Sequence, residues 1–131
     1  MGIKGGNMTI FIVDDEPLIH RLFEHVFTVE GYEIIGHAYD RVEALRIYRS
    51  LILSYRKPDV IIMDHLMPKK DGIETAAEIF DIDPSAKILF VSVDEGAKER
   101  ALALGAIDFI KKPFEVSEVL NVLENLRRKK T

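Results

Sequence analysis

Five short apolar runs, each followed by a segment with helical spacing, constrain this chain more than any other feature. Ile10-Phe11-Ile12-Val13 is the first run, and from Pro17 the spacing predicts a helix carrying Leu18, Leu22, Val26 and Val29, stopped by Gly31. Tyr32 to Ala38 predicts a second strand. Asp40-Arg41-Val42-Glu43 has the form of a capping box opening a helix with Val42, Leu45, Ile52 and Tyr55 on its apolar side, and Lys57-Pro58 punctuates its end. Val60 to Met63 is the third run, and after Gly72 the residues Ile73, Ala76, Ala77 and Phe80 recur at i, i+3, i+4 and i+7. Ile88 to Val91 predicts a fourth strand, Glu95 to Leu104 a weaker helix capped by Gly105, and Ile107 to Ile110 a short fifth strand. The last helix is expected over Val116 to Arg128, with Val116, Val119, Leu120 and Leu123 inward.

Alternation of this kind implies a parallel sheet with helices on both faces, because right-handed crossovers leave few other arrangements. The strands are continuously apolar rather than alternating, which burial on both faces requires. At 131 residues and 47% hydrophobic content there is material for one core and little room for a second. We therefore expect residues 1–8 to be a flexible leader, 9–128 to be one α/β domain and 129–131 to be a basic tail. Arg127-Arg128-Lys129-Lys130 suits the negative end of a helix dipole, a reading that outweighs a polyanion site. A net charge of −4 argues against direct nucleic-acid binding. There is no Cys and no run of the roughly 18 apolar residues that span a bilayer, so a cytoplasmic chain without a membrane partner is expected.

Polar residues stand where the strands stop. The first ends in Asp14-Asp15, the third in Asp64, the fourth in Ser92, and the fifth leads into Lys111-Lys112-Pro113. In an open parallel sheet ligands bind outside these carboxyl ends. Three carboxylates on one rim repel one another unless a cation or raised pKa values relieve them, and oxygen donors without His or Cys suit Mg²⁺. A metal beside a lysine and a hydroxyl can hold a phosphoryl group, and a carboxylate can accept one. Each residue also has an ordinary reading. The aspartates could favour the first helix, Ser92 could cap a turn, and Lys112 could be solvated. Their common placement on one rim is what favours chemistry. His20, His25, His37 and His65 lack metal-ligand spacing, and no zinc site is expected.

Val13-Asp14-Asp15-Glu16-Pro17, Met63-Asp64-x-x-Met67-Pro68-x-x-Asp71-Gly72, Val91-Ser92 and Lys112-Pro113-Phe114 together resemble the receiver domain of two-component response regulators, over about residues 9 to 127. The resemblance implies a flavodoxin-like (βα)5 three-layer sandwich with strand order 2-1-3-4-5. It makes Asp64 the phosphoacceptor, served by a histidine kinase or a phosphotransfer domain. Mg²⁺ would be bound by Asp15, Asp64 and the backbone carbonyl of Leu66, with Asp14 acting through a water. Lys112 would pair with the phosphoryl group or, before phosphorylation, with Asp64, while Lys111 should point away by strand alternation. Ser92 would follow the phosphoryl oxygen and the ring of Phe109 would fill the space it leaves, which an output protein or domain would sense. A cis Lys112-Pro113 bond is also implied. Homodimerisation through the last two helices and the fifth strand is left open.

Val93 stands where the family commonly has a small residue, so slow transfer from small phosphodonors is expected. Leu66 is apolar beside the route of an attacking water, which leans toward a longer-lived phosphoryl group. The segment from Ser92 to Gly105 is a couple of residues short, and the second helix about a turn long. A phosphohydrolase of the haloacid dehalogenase type would also use a strand-end Asp and Mg²⁺, but Asp64-His65-Leu66 lacks the second Asp of that pattern. A docking module independent of phosphorylation would not need the full polar set. A switch, rather than an enzyme turning over a small molecule, is the expected function.

Overall fold

The computed structural model describes residues 7–64 and 71–130. Its elements are β1 (Thr9–Val13), α1 (Pro17–Val29), β2 (Glu33–Ala38), α2 (Arg41–Leu53), β3 (Val60–Met63), α3 (Gly72–Ile82), β4 (Ile88–Ser92), α4 (Lys98–Leu104, entered through the 3-10 turn Glu95–Ala97), β5 (Asp108–Lys111) and α5 (Val116–Lys130). All neighbouring strands are parallel, in the order β2-β1-β3-β4-β5. This is the flavodoxin-like order that the resemblance implied.

Burial explains the composition of the strands. Every residue of the inner strands β3 and β4 is buried, whereas the edge strands β2 and β5 are buried only in part. Successive side chains go to opposite faces. Phe11, Val13, Ile61, Met63 and Phe90 pack under α2, α3 and α4, while Ile10, Ile12, Ile62, Leu89 and Val91 pack under α1 and α5. Met8, expected in the leader, is buried in the second of these cores, and its carbonyl accepts from Glu33 N at 3.0 Å. Gly36 is needed where β2 shifts register against β1, because a Cβ there would lie 2.9 Å from the ring of Phe11.

Two helices bury faces that match the expected ones only in part, at Val26 on α1 and at Leu45 and Ile52 on α2. On α1 the residues turned inward are His20, Phe23 and Phe27, and Leu18, Leu22 and Val29 are exposed. The helix carries two apolar stripes, and the aromatic one removes more surface from water. On α2, Ala44, Leu45 and Tyr48 are buried, with Val42 exposed. Tyr48 wins its place because its ring stacks with Phe11 and its hydroxyl donates to Asp83 Oδ2 at 2.8 Å. The helix ends in a Schellman motif, Arg56 N to Leu51 O at 2.8 Å and Tyr55 N to Ile52 O at 3.1 Å, which puts Tyr55 at φ 58 and out in solvent.

The capping box at Asp40 and the glycine cap of α4 are as expected, and Asp71 adds a cap that the sequence reading did not single out. Asp40 accepts from Glu43 N and Asp71 accepts from Glu74 N, each at 2.9 Å, while Glu43 reaches back to Tyr39 N at 2.7 Å. Gly105 closes α4 at φ 123, a conformation open to glycine. The basic end of α5 is used within the fold: the Arg127 guanidinium lies 4.0 Å over the Tyr32 ring and donates to Glu30 O and Glu124.

Candidate functional site

The sheet ladder itself assembles the rim. Val13 is in register with Met63, so the next residues, Asp14 and Asp64, emerge side by side. The backbone pairing continues one step past the strands, with Asp14 N donating to Ala38 O at 3.1 Å and Asp64 N to Val13 O at 2.9 Å. On the other side Ser92 is in register with Lys111, and Lys112 N donates to Ser92 O at 2.8 Å. Residues separated by up to 98 positions are thereby fixed by main-chain hydrogen bonds rather than by flexible loops.

Asp14 and Asp64 are nearly buried, at 3% and 6% exposure, and Asp15 is exposed. One carboxylate oxygen from each of the three lies within 4.8 Å of the others. Lys112 Nζ lies between two of them, 3.1 Å from Asp14 Oδ2 and 3.8 Å from Asp64 Oδ2. Asp64 was expected to be its partner; Asp14 is the nearer one. Lys111 points away from the rim and pairs with Glu95 at 3.4 Å. The Lys112-Pro113 bond is cis.

Several ordinary roles coexist with this placement. Asp14 Oδ1 accepts from Glu16 N at 2.8 Å, and Ser92 Oγ accepts from Asp94 N at 3.2 Å, so both residues also shape the turns that follow them. Ser92 is fully buried, and Phe109 is buried with its ring stacked on Phe90, centroids 6.4 Å apart. Leu66 and His65 lie outside the described residues.

Sequence reasoning treated the histidines as unrelated, yet two of them meet behind the rim. His20 Nε2 is 2.7 Å from the Asp14 carbonyl and must donate to it, because a carbonyl only accepts. Its Nδ1, 2.8 Å from Nδ1 of His37, is then the acceptor from His37 when the ring is neutral. Burial, then the neighbouring His20, pushes His37 below the ordinary histidine value. Tyr39 stacks on His20 at 4.1 Å. No local spacing foretells this group, which exists because β2 pairs with β1. His20 thus braces the backbone at Asp14.

The donor chemistry fits a hard cation. Among the described residues three carboxylates meet one ammonium, and the donors they offer are oxygens only. Among the described residues no helix is long and apolar enough to cross a membrane.

Known proteins are similar to this chain in sequence and fold. The family described as the response regulator receiver domain matches residues 10–124. The chemotaxis protein CheY of Thermotoga maritima is 36% identical over 121 residues, covering 91% of this chain and 97% of that one. The crystal structure of the CheX–CheY–BeF3–Mg²⁺ complex from Borrelia burgdorferi contains a chain that superposes with a TM-score of 0.84 at 31% identity, covering 93% of this chain and 90% of that one. The response regulator TrrA of Thermotoga maritima, in complex with Mg²⁺–BeF, superposes with a TM-score of 0.77 at 31% identity, covering 90% and 97%.

Proposed function

Since the chain belongs to the response regulator receiver domain family, we propose that Asp64 is its phosphoacceptor and that Mg²⁺ is its cofactor. The observation that carries this reading is the position of Lys112 Nζ, between Asp14 and Asp64 on a rim that also holds Asp15. Residues 9–128, with Met8 packed beneath them, constitute the receiver unit.

Asp15 and Asp64 would hold the metal directly and Asp14 through a water, with the carbonyl of Leu66 as a further ligand. A cation bound there supplies charge that offsets the crowded carboxylates and an incoming phosphoryl group. Asp64 contributes the attacking oxygen. A bond forms from its carboxylate to phosphorus, the P–N bond of a phosphohistidine on a histidine kinase or phosphotransfer domain breaks, and the donor imidazole takes up a proton. Lys112 is placed to exchange its carboxylate contacts for the phosphoryl oxygens. Ser92, at the end of the adjacent strand, supplies a hydroxyl, and Phe109 registers its movement on the β5 side. Outside this self-phosphorylation and self-dephosphorylation, in which water takes the phosphoryl group from Asp64 as inorganic phosphate, the domain works as a cytoplasmic switch that an output protein or output domain reads.

Beryllofluoride, which mimics a phosphoryl group on a carboxylate, tests the reading. With Mg²⁺ present, bound fluoride should appear in ¹⁹F NMR of the wild type and be lost in Asp64→Asn. A bound signal that persists in Asp64→Asn places the acceptor elsewhere.

A further inference from the structure

The outward face of α2 carries a pattern unrelated to the rim. Val42, Arg46, Arg49 and Leu53 are spaced four, three and four residues apart, which sets all four on one narrow stripe of the helix. Val42 is 63% and Leu53 79% exposed, and both arginines are exposed. Together with Leu45 and Glu78 they line an open groove of about 650 Å³.

The arginines of this stripe differ from their neighbour Arg41. Arg41 is matched by Glu78 through two contacts of 2.9 and 3.0 Å. Among the described residues, Arg46 and Arg49 have neither an ion pair nor a side-chain hydrogen bond. They stand three residues apart, where like charges repel. Glu43, the acid three residues before Arg46, is committed to Tyr39 N, and Arg49 has no acid three or four residues away on its helix. Two residues past Leu53, Tyr55 is held at φ 58 and is 96% exposed. A β-carbon is disfavoured there, and the exposed ring gains nothing from the fold in return.

We propose that this face of α2 is a docking surface for an acidic amphipathic helix of a partner protein. Two carboxylates of that helix would face Arg46 and Arg49, and apolar side chains would seat on Val42 and Leu53. Charge complementarity carries the choice: unmatched cations lie on a chain whose net charge is −4. Apolar residues bracket the charges at both ends, which suits a helix in a groove better than a polyanion backbone. Among the described residues, neither α3 nor α1 of a second copy of the chain offers a match. Its exposed acids on α3, Glu74 and Asp81, have no exposed large apolar residue on that helix, and its α1 stripe of Leu18, Leu22, His25 and Val29 has the spacing but no carboxylate.

The test uses a helical probe peptide of about 15 residues, long enough to cover the stripe, with Leu, Glu, Glu and Leu spaced four, three and four apart on an Ala/Gln background. It is titrated into the ¹⁵N-labelled full chain without Mg²⁺ or phosphodonor, so its outcome is independent of the phosphoacceptor reading. Amide shifts should be confined to α2 and the turn through Tyr55. The Arg46→Glu/Arg49→Glu variant, whose spectrum reports its own folding, should bind at least about tenfold more weakly. A peptide with Lys in place of both Glu residues should bind that variant and not the wild type. Absent or scattered shifts, or binding indifferent to the charge swap, overturn the proposal. So does a concentration-dependent dimer in sedimentation that the double variant abolishes, which would make the occupant a second copy. Binding of phosphatidylserine vesicles through α2 in preference to the peptide overturns it equally.

Discussion

The ammonium of Lys112 lies 3.1 Å from Asp14 Oδ2 and only 17% of its side chain is exposed. It faces two nearly buried carboxylates, so its removal takes a cation away from both. Lys112→Met is therefore expected to cost roughly 1–3 kcal/mol of stability in EDTA. Mg²⁺ should restore part of that loss, because it takes over the neutralisation. Urea unfolding of wild type and variant, with and without Mg²⁺, checks both parts; a loss that Mg²⁺ does not reduce would separate the metal from these carboxylates.

Val93 follows the buried Ser92 and is 55% exposed at the rim. We propose that its branched side chain narrows the approach to Asp64 for a donor that brings no binding surface of its own. Val93→Ala should accelerate phosphorylation by acetyl phosphate severalfold, read as the initial rate in the presence of Mg²⁺. Equal rates in both proteins would remove Val93 as a barrier.

Away from the rim, Asp83 ties α2 to the loop after α3. Burial works to raise its pKa, but hydrogen bonds from Lys57, Ser85 and Tyr48 outweigh it and hold the carboxyl well below its ordinary value of 3.8. Burial and the same carboxylate raise the Tyr48 hydroxyl above the usual tyrosine range. A depressed carboxyl adds stability above pH 3.8 that is lost as the pH falls through that value toward the folded-state pKa. Tyr48→Phe keeps the buried ring and removes one donor. It should cost about 1 kcal/mol at neutral pH, with the difference from wild type narrowing below pH 3.8. Chemical denaturation across this range shows whether the two curves converge.

Tyr55 occupies the left-handed position of a Schellman motif, at φ 58. Tyr55→Gly relieves the β-carbon and should stabilise the protein by about 1 kcal/mol. The urea midpoint should rise with an unchanged slope. A lower midpoint would mean that the ring packs somewhere after all.

How far the chain can be read depends on whether a feature is local. The strands were legible because Val60 to Met63 and Ile88 to Val91 are apolar throughout, as burial on both faces demands. The rim was legible because its side chains come directly after the runs that place them. The inward face of α1 was not, since Leu18-Leu22 and Phe23-Phe27 offer competing stripes and only the packed sheet chooses between them. The His20–His37 contact and the preference of Lys112 for Asp14 arise from lateral strand order and register. No spacing along the chain encodes those directly. The capping box at Asp40 was visible, but the groove on the far side of the same helix depended on which face turned outward.

Intact-mass spectrometry after incubation with acetyl phosphate and Mg²⁺ tests the central claim most directly. Wild type should gain a single phosphoryl group, lose it when EDTA is present from the start, and show none in Asp64→Asn. A wild type that stays unmodified, or an Asp64→Asn protein modified to the same extent, would contradict the assignment of Asp64 as phosphoacceptor.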